Sequence, residues 1–342
     1  MTTKLYPNDY FGTTIPDINH ELDWLIKEII KPQLPDLTDT LETCLQLLTS
    51  EQTFKLPITN KDHPNSLGEL KGTLTRQSGY IIDYQLKFFF PDFHRGKTFY
   101  LSNRDESNKD IITGKKILLQ QLSDTIENIK TLIEILETLQ DIKNPNQFKK
   151  VFQKLNNIFK ETCSLLNNPS KNLLFPNFAL PLLPQLTSAH HVVVPEIIVL
   201  QNELHLEFRC LENCQRKPWS EIDATGKSLT DRIKQDLVTN RQYNLSQLLS
   251  SQQASTRYND LKIVEPSFFH NLAASTNNNN TEFTMQEIQN YLTQCVTYQN
   301  KVYLDLGKII CTTSDPYLIS VCSKLQSLNS TISNHYSNLV DL

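Results

Sequence analysis

Leu119, Leu122, Ile126, Ile129, Ile133 and Leu136 recur in alternating three- and four-residue steps. That spacing lines up one face of a helix. Leu118, Leu132 and Leu139 lie beside the stripe and widen it. So broad an apolar face suits packing within a group of helices better than a two-stranded coil. Three more segments carry the same rhythm. Ile18, Leu22, Leu25 and Ile29 begin one, Pro32 and Pro35 interrupt it, and Leu37, Leu41, Cys44 and Leu48 resume it. A kinked helix or two short helices are expected there. Asn144–Pro145 supplies a cap and a first-turn proline for a helix faced by Phe148, Phe152, Leu155, Phe159 and Leu166.

The last such segment opens on Phe283-Thr284-Met285-Gln286-Glu287-Ile288. Thr284 and Glu287 form a capping box, with Phe283 and Ile288 as an apolar staple around it. Met285, Ile288, Leu292, Cys295, Gln299, Val302, Leu306 and Ile309 keep helical spacing. A helix is therefore expected to run to Asp315–Pro316, which breaks it and caps the next. Leu318, Val321, Leu325, Leu328, Ile332 and Leu339 face that final helix.

Two stretches read as β-structure. Residues 69–103 give three strands, near 69–76, 80–90 and 97–102, with turns at Ser78–Gly79 and Arg95–Gly96. Ile82, Tyr84, Leu86, Phe88 and Phe90 alternate onto one face. Residues 191–211 give a hairpin, Val192–Leu200 against Leu204–Leu211, with Gln201–Asn202 at its tip. The polar, Ser/Gln-rich stretch 213–259 reads as a flexible insertion with one short helix near 227–238, and 274–282 as an Asn-rich linker.

The strip LLFPNFALPLLPQL, 173–186, is strongly apolar, yet Pro176, Pro181 and Pro184 forbid one ordinary helix. It either packs across the junction between helices and sheet or offers an apolar docking strip to a partner. The candidate docking residues are Leu173, Leu174, Phe175, Phe178, Leu182 and Leu183. Phe89 and Phe93 join them, because alternation through Phe88, Phe89 and Phe90 leaves one face needing cover from a helix or a partner.

No catalytic, cofactor or metal constellation emerges. Glycine supplies 8 of 342 residues, against about 7% in average proteins, so little is available for phosphate-cradling loops. Gly226–Lys227–Ser228 lacks the first glycine of a phosphate loop, since position 221 is Glu221. His20–Glu21 begins a helical zinc motif that Trp24 leaves unfinished, and His190–His191 has no clear partner. The Cys210–Cys214 pair has no second pair at zinc-site spacing. A net charge of −4 gives no basic stripe for nucleic acid. No run of about 18 apolar residues exists to cross a membrane. The first residues, MTTKLYPNDYFGTTIPD, hold no apolar run that would serve as a secretory signal, so no signal is expected and the seven scattered cysteines are expected to be reduced cytosolic thiols.

The order of segments resembles the Rogdi family, which includes the small subunit of the fungal RAVE complex. The residues that carry it are LDWLIKEI, GTLTRQSGYIIDYQLKF, the heptad hairpin, FPNFALPLLPQL, PEIIVLQNELHLEF and the C-terminal helical pair. It covers roughly residues 17–342. The insertion at 213–259 and the Asn tract depart from shorter animal members. The resemblance implies a non-catalytic subunit of a regulator of the vacuolar and endosomal proton-pumping ATPase. That regulator promotes reassembly of the peripheral ATP-hydrolysing sector with the membrane sector. The implied partners are a large rabconnectin-like WD-repeat scaffold, an SCF-type adaptor subunit and the peripheral sector. No nucleic acid and no direct membrane insertion are implied. The chain would be cytoplasmic and held at vacuolar or endosomal membranes through its partners.

The expected fold class is α+β. Residues 1–55, 106–170 and 283–342 would form an antiparallel helical bundle, and 56–105 with 187–270 an antiparallel β-sheet domain. Residues 171–186 would connect them. The rival reading of the heptads is a self-associating coiled-coil tether or adaptor.

Overall fold

The computed structural model describes residues 18–61, 67–91, 93–104, 114, 116–178, 180, 186–242, 244–250, 261–265 and 282–341. Helix α1 (Ile18–Trp24) continues through a π-helical turn at Leu25–Ile30 and a 3-10 turn at Lys31–Gln33 into α2 (Leu34–Thr49). Pro32 and Pro35 are the second residues of the 3-10 turn and of α2, within the first turn, where the missing amides cost least. The prolines therefore change the helical register without ending the helical path. Leu34, Leu37, Leu41, Cys44 and Leu48 form the buried face of α2.

Helices α3 (Gln120–Asp141) and α4 (Pro145–Asn167) follow one another directly. Asn144 caps α4: its side-chain oxygen accepts from the amides of Asn146 (2.9 Å) and Gln147 (3.2 Å). The buried face of α3 is Leu122, Thr125, Ile129, Leu132, Leu136 and Leu139. It lies slightly to one side of the sequence stripe, so Ile126 and Ile133 pack at the rim of the core. Each of α2 and α4 packs against both α3 and α8, the last helix (Pro316–Asp341). Lys31 Nζ donates to the carbonyls of Gln140 (2.7 Å) and Ile142 (2.8 Å), satisfying acceptors left open at the end of α3.

Apart from one short parallel pair, the strands of the described residues form two antiparallel sheets. The first has β1 (Thr53–Thr59), β2 (Glu69–Gln77), β3 (Tyr80–Phe89) and β4 (Thr98–Ser102) in order, with the short β5 (Ile117–Leu118) also on β3. The second contains β6 (His191–Leu200) and β7 (Glu203–Asn213), joined at Gln201–Asn202, where both residues have positive φ. β1 lies within and beyond the 1–55 stretch expected to be helical.

Two further expectations are corrected. The helix starting at Met285 ends at Gln294 (α7, after the two helices named below). Residues 295–314 are a hairpin, β10 (Cys295–Tyr298) and β11 (Lys301–Ser314), completing the second sheet in the order β10-β11-β7-β6. Gln299 and Asn300 turn it with φ of 49° and 58°, the left-handed pair that tight hairpins require. A bulge between Asp305 and Gly307 then shifts the register. Gly307 has φ of 135° there, and a Cβ would lie 1.8 Å from Leu67.

The described part of 213–259 is also ordered and packed. It holds α5 (Leu229–Thr239) and α6 (Leu245–Ser250). Trp219, Leu229, Ile233 and Leu248 bury against Phe283, Ile288, Leu292 and Cys295 in a second core. Polar composition concealed it because its few apolar residues are concentrated on one side, with Ser228 and Asp231 forming a capping box at the start of α5. β8 (Lys262–Ile263) pairs in parallel with β9 (Glu282–Phe283) over two residues beside this core. The expected linker at 274–282 lies outside the described residues except for Glu282.

The main core is continuous across helices and sheets. Leu48, Leu132 and Leu325 share it with Leu56, Leu74 and Phe88 of the first sheet and Phe208 and Ile309 of the second. Gln121 at the start of α3 joins the layers by hydrogen bonds. Its side-chain oxygen accepts from Val199 N–H (2.7 Å), and its amide donates to the carbonyls of Val199 (2.8 Å) and Leu165 (2.6 Å).

Candidate functional site

Alternation along β6 and β7 gives the second sheet two unlike faces. Val193, Val199, Leu204, Leu206, Phe208 and Cys210 turn into the main core. Val192, Val194, Leu211, Tyr298 and Tyr303 form a separate buried cluster, with Phe175 packed on it. Near that cluster lies a charged group. Arg209 pairs with Glu207 and Asp305, and Lys308 Nζ reaches Glu207 at 2.7 Å. Glu196 and Glu207 stand directly opposite each other on β6 and β7.

The apolar strip seats on this face. Leu173 ends a 3-10 turn, and Leu173, Leu174 and Phe175 are half-buried. The Phe175 ring lies 4.9 Å from the Arg209 guanidinium carbon and 5.5 Å from the Tyr298 ring. Its amide donates to Glu196 Oε1 at 2.8 Å. Burial raises the Glu196 pKa and the neighbouring Glu207 adds to the rise, against the Phe175 amide. Burial opposes the charge on Arg209, but Glu207 and Asp305 outweigh it and hold the guanidinium above its usual range.

Further along, Leu180 N–H donates to the Pro195 carbonyl (3.3 Å), Leu180 is buried, and Leu186 is fully enclosed in the main core. Phe178 is exposed at the mouth of a cleft between the sheets. Leu182 and Leu183 lie outside the described residues. The strip's described part is thus anchored mainly on its own protein, and Phe178 is its most exposed aromatic.

The phenylalanine cluster divides in two. Phe93 is fully buried, its ring centroid 5.0 Å from Phe99 and 6.4 Å from Phe88, so it has no surface for a partner in this state. Phe89 is half-buried beside Gly96 and lines a shallow depression with Lys71 and Lys87. The sequence reading passed over other exposed side chains, notably Trp24 at 59% and Tyr100 at 71%. Tyr100 carries Lys87 over its ring at 5.7 Å. Both occupy outward positions of regular elements, a signal that becomes readable only once register is known.

Among the described residues no group of three or more His, Cys, Asp or Glu side chains could hold a metal ion. Among them, too, no helix is long and apolar enough to cross a membrane. All seven cysteines are free. Cys214 and Cys295 lie together in the second core, whereas Cys210 turns into the main one.

Residues 21–340 match a family model described as Rogdi leucine zipper containing protein. The chain is also 34% identical to "Regulator of V-ATPase in vacuolar membrane protein 2" of Saccharomyces cerevisiae. That alignment runs over 359 positions and covers 99% of this chain and 97% of the yeast protein.

Proposed function

Because the chain belongs to the Rogdi leucine zipper family, we propose that it regulates the vacuolar proton-pumping ATPase as a non-catalytic subunit of a RAVE-type complex. The observation that carries the reading is the end-to-end similarity to a yeast protein named as a regulator of that ATPase. In this reading the complex promotes assembly of the peripheral sector onto the membrane sector. The chain acts by binding, together with a large WD-repeat scaffold and an SCF-type adaptor subunit. It is cytoplasmic and reaches the vacuolar or endosomal membrane through those partners.

We read α2, α3, α4 and α8 as an antiparallel bundle that uses the heptads internally. The full burial of Ile129, Leu132 and Leu136 supports this over an intermolecular zipper. Phe178, Leu173 and Leu174 are the strip residues we assign to scaffold contact, with Phe89 as a second point. Phe175 is assigned to holding the strip on the sheet. Affinity purification from native cytosol at modest salt tests the reading. Co-recovery of a WD-repeat scaffold, the adaptor and peripheral ATPase subunits is expected. Recovery of the protein alone, or only of itself, would return the tether reading to first place.

A further inference from the structure

We propose that the cleft between the two sheets binds a single-chain amphiphile with an anionic head, of the long-chain carboxylate class. The cleft has a volume of about 590 Å³, within the ~300–1,000 Å³ usual for small-ligand sites. Leu86 and Leu101 wall it from the first sheet, Ile197 and Phe208 from the second, and Phe178 stands at its rim. Its polar lining includes Ser102–Arg104 at the end of β4 and Lys116 just before β5. The Gly114 amide ties these segments by donating to the Asn103 carbonyl (2.8 Å).

Charge selects the head group. Arg104 and Lys116 are the cations of the described lining, and no carboxylate lies in it. Arg104 is balanced from behind by Asp83, whose Oδ1 accepts from its Nε at 2.9 Å. Lys116 is exposed and makes no ion pair with any described residue. Among the described residues the lining therefore carries net positive charge, and an anion placed beside Lys116 meets a cation without displacing a pair seen there.

Hydrogen bonding selects the body. An extended peptide entering the cleft would need partners for its amides, and both flanking strand edges are already engaged. On the β6 side, the Pro195 carbonyl accepts from Leu180 and both backbone groups of Val199 bind Gln121. Pairing is thus taken on either side of Ile197, and an added strand finds no continuous ladder. On the β3 side, the Asn103 side chain accepts from Tyr84 N–H (3.1 Å) and donates to the Ile82 carbonyl (2.8 Å). A hydrocarbon chain brings no such groups and buries the apolar walls.

The proposal goes beyond the assembly reading and is tested on the full chain alone. Laurate, below its micelle threshold, is titrated by calorimetry beside dodecanol and dodecylamine. One laurate per chain is expected, bound more tightly than dodecanol, with dodecylamine weakest. Lys116→Glu lies on the surface and should keep the wild-type circular dichroism. It should weaken laurate roughly tenfold, a change of about 1.4 kcal/mol, and leave dodecanol unchanged. Phe178→Asp, at the exposed rim, should weaken both. Absence of laurate binding overturns the proposal, as does equal binding of all three probes with no effect of Lys116→Glu. Binding of a synthetic Leu/Asp-alternating peptide in place of laurate would overturn it in favour of a peptide groove.

Discussion

Arg76 of β2 and Asp315, the residue before α8, form an ion pair shut off from water, their side chains 1% and 0% exposed. Arg76 Nη2 donates to Oδ1 at 3.1 Å, and Nε also donates to the carboxylate. The same carboxylate caps α8, accepting from the amides of Tyr317 (2.9 Å) and Leu318 (3.3 Å). Arg76 further donates to the Ser78 carbonyl at 2.6 Å, so the pair joins a helix start to a hairpin turn. Removing one member leaves the other buried and uncompensated, a loss of about 3–5 kcal/mol. Asp315→Ala should lose stability on that scale in urea unfolding. Arg76→Met combined with Asp315→Ala should lose less than the sum of the two single losses.

Gln121 is the other bond between layers. Gln121→Leu preserves bulk but strips partners from the Val199 amide and from the Val199 and Leu165 carbonyls. A buried unsatisfied group costs about 1–3 kcal/mol. The variant should lose at least that, and hydrogen exchange at the Val199 amide should accelerate.

Glu196 makes stability depend on pH in a defined direction. Its folded pKa is raised by burial and by Glu207. The folded state therefore holds the proton more tightly than the unfolded chain does. This contribution is fully present below the unfolded glutamate pKa and is lost as pH rises through the folded value. Glu196→Gln keeps an acceptor for Phe175 N–H and removes the charge. It should be at least as stable as wild type at neutral pH and lack this part of the slope. A variant weaker than wild type at pH 7 would contradict the account.

The leucine stripe belongs to the protein's own core. Ile129 is fully enclosed, so Ile129→Asp buries a carboxylate without a partner. The outcome should be loss of the helical circular dichroism signal, not dissociation of a folded oligomer. Light scattering and circular dichroism on the same sample distinguish the two.

Trp219 tests whether the polar stretch is structural. It is fully buried, stacked 4.9 Å from Tyr291 and edge-on to Phe283 at 5.8 Å. Trp219→Ala should cost about 3–5 kcal/mol. A negligible cost would restore the picture of a flexible insertion.

The helices α2, α3, α4 and α8 were legible because their apolar periodicity and start signals agree. Asn144, Thr284 and Asp315 all cap as read. The hairpin around Gln201–Asn202 was legible through strict alternation; the one around Ser78–Gly79 was legible through its turn, but a bulge opposite Thr75–Arg76 puts Ile81, not the expected Ile82, in the core with Tyr84, Leu86 and Phe88. The β10–β11 hairpin was not legible, and its own bulge explains why. Val302 and Leu304 contact the second core, while Ile309 and Cys311 lie in the main one. Alternation interrupted by one extra residue sets Ile309 seven residues after Val302, which imitates a heptad. The strip's prolines showed that it could not be a helix. They carried no information about Glu196 and Arg209, which meet Phe175 from distant parts of the sequence.

The central claim is action on the proton pump through binding that distinguishes its assembly states. A ligand shifts an equilibrium only by differential affinity. The direct measurement is quantitative capture, by the protein with the proposed WD-repeat scaffold, of the detached peripheral sector and of the intact ATPase. The account predicts dissociation constants that differ by at least about fivefold, the lower end of useful coupling. Equal affinity for both states would contradict it.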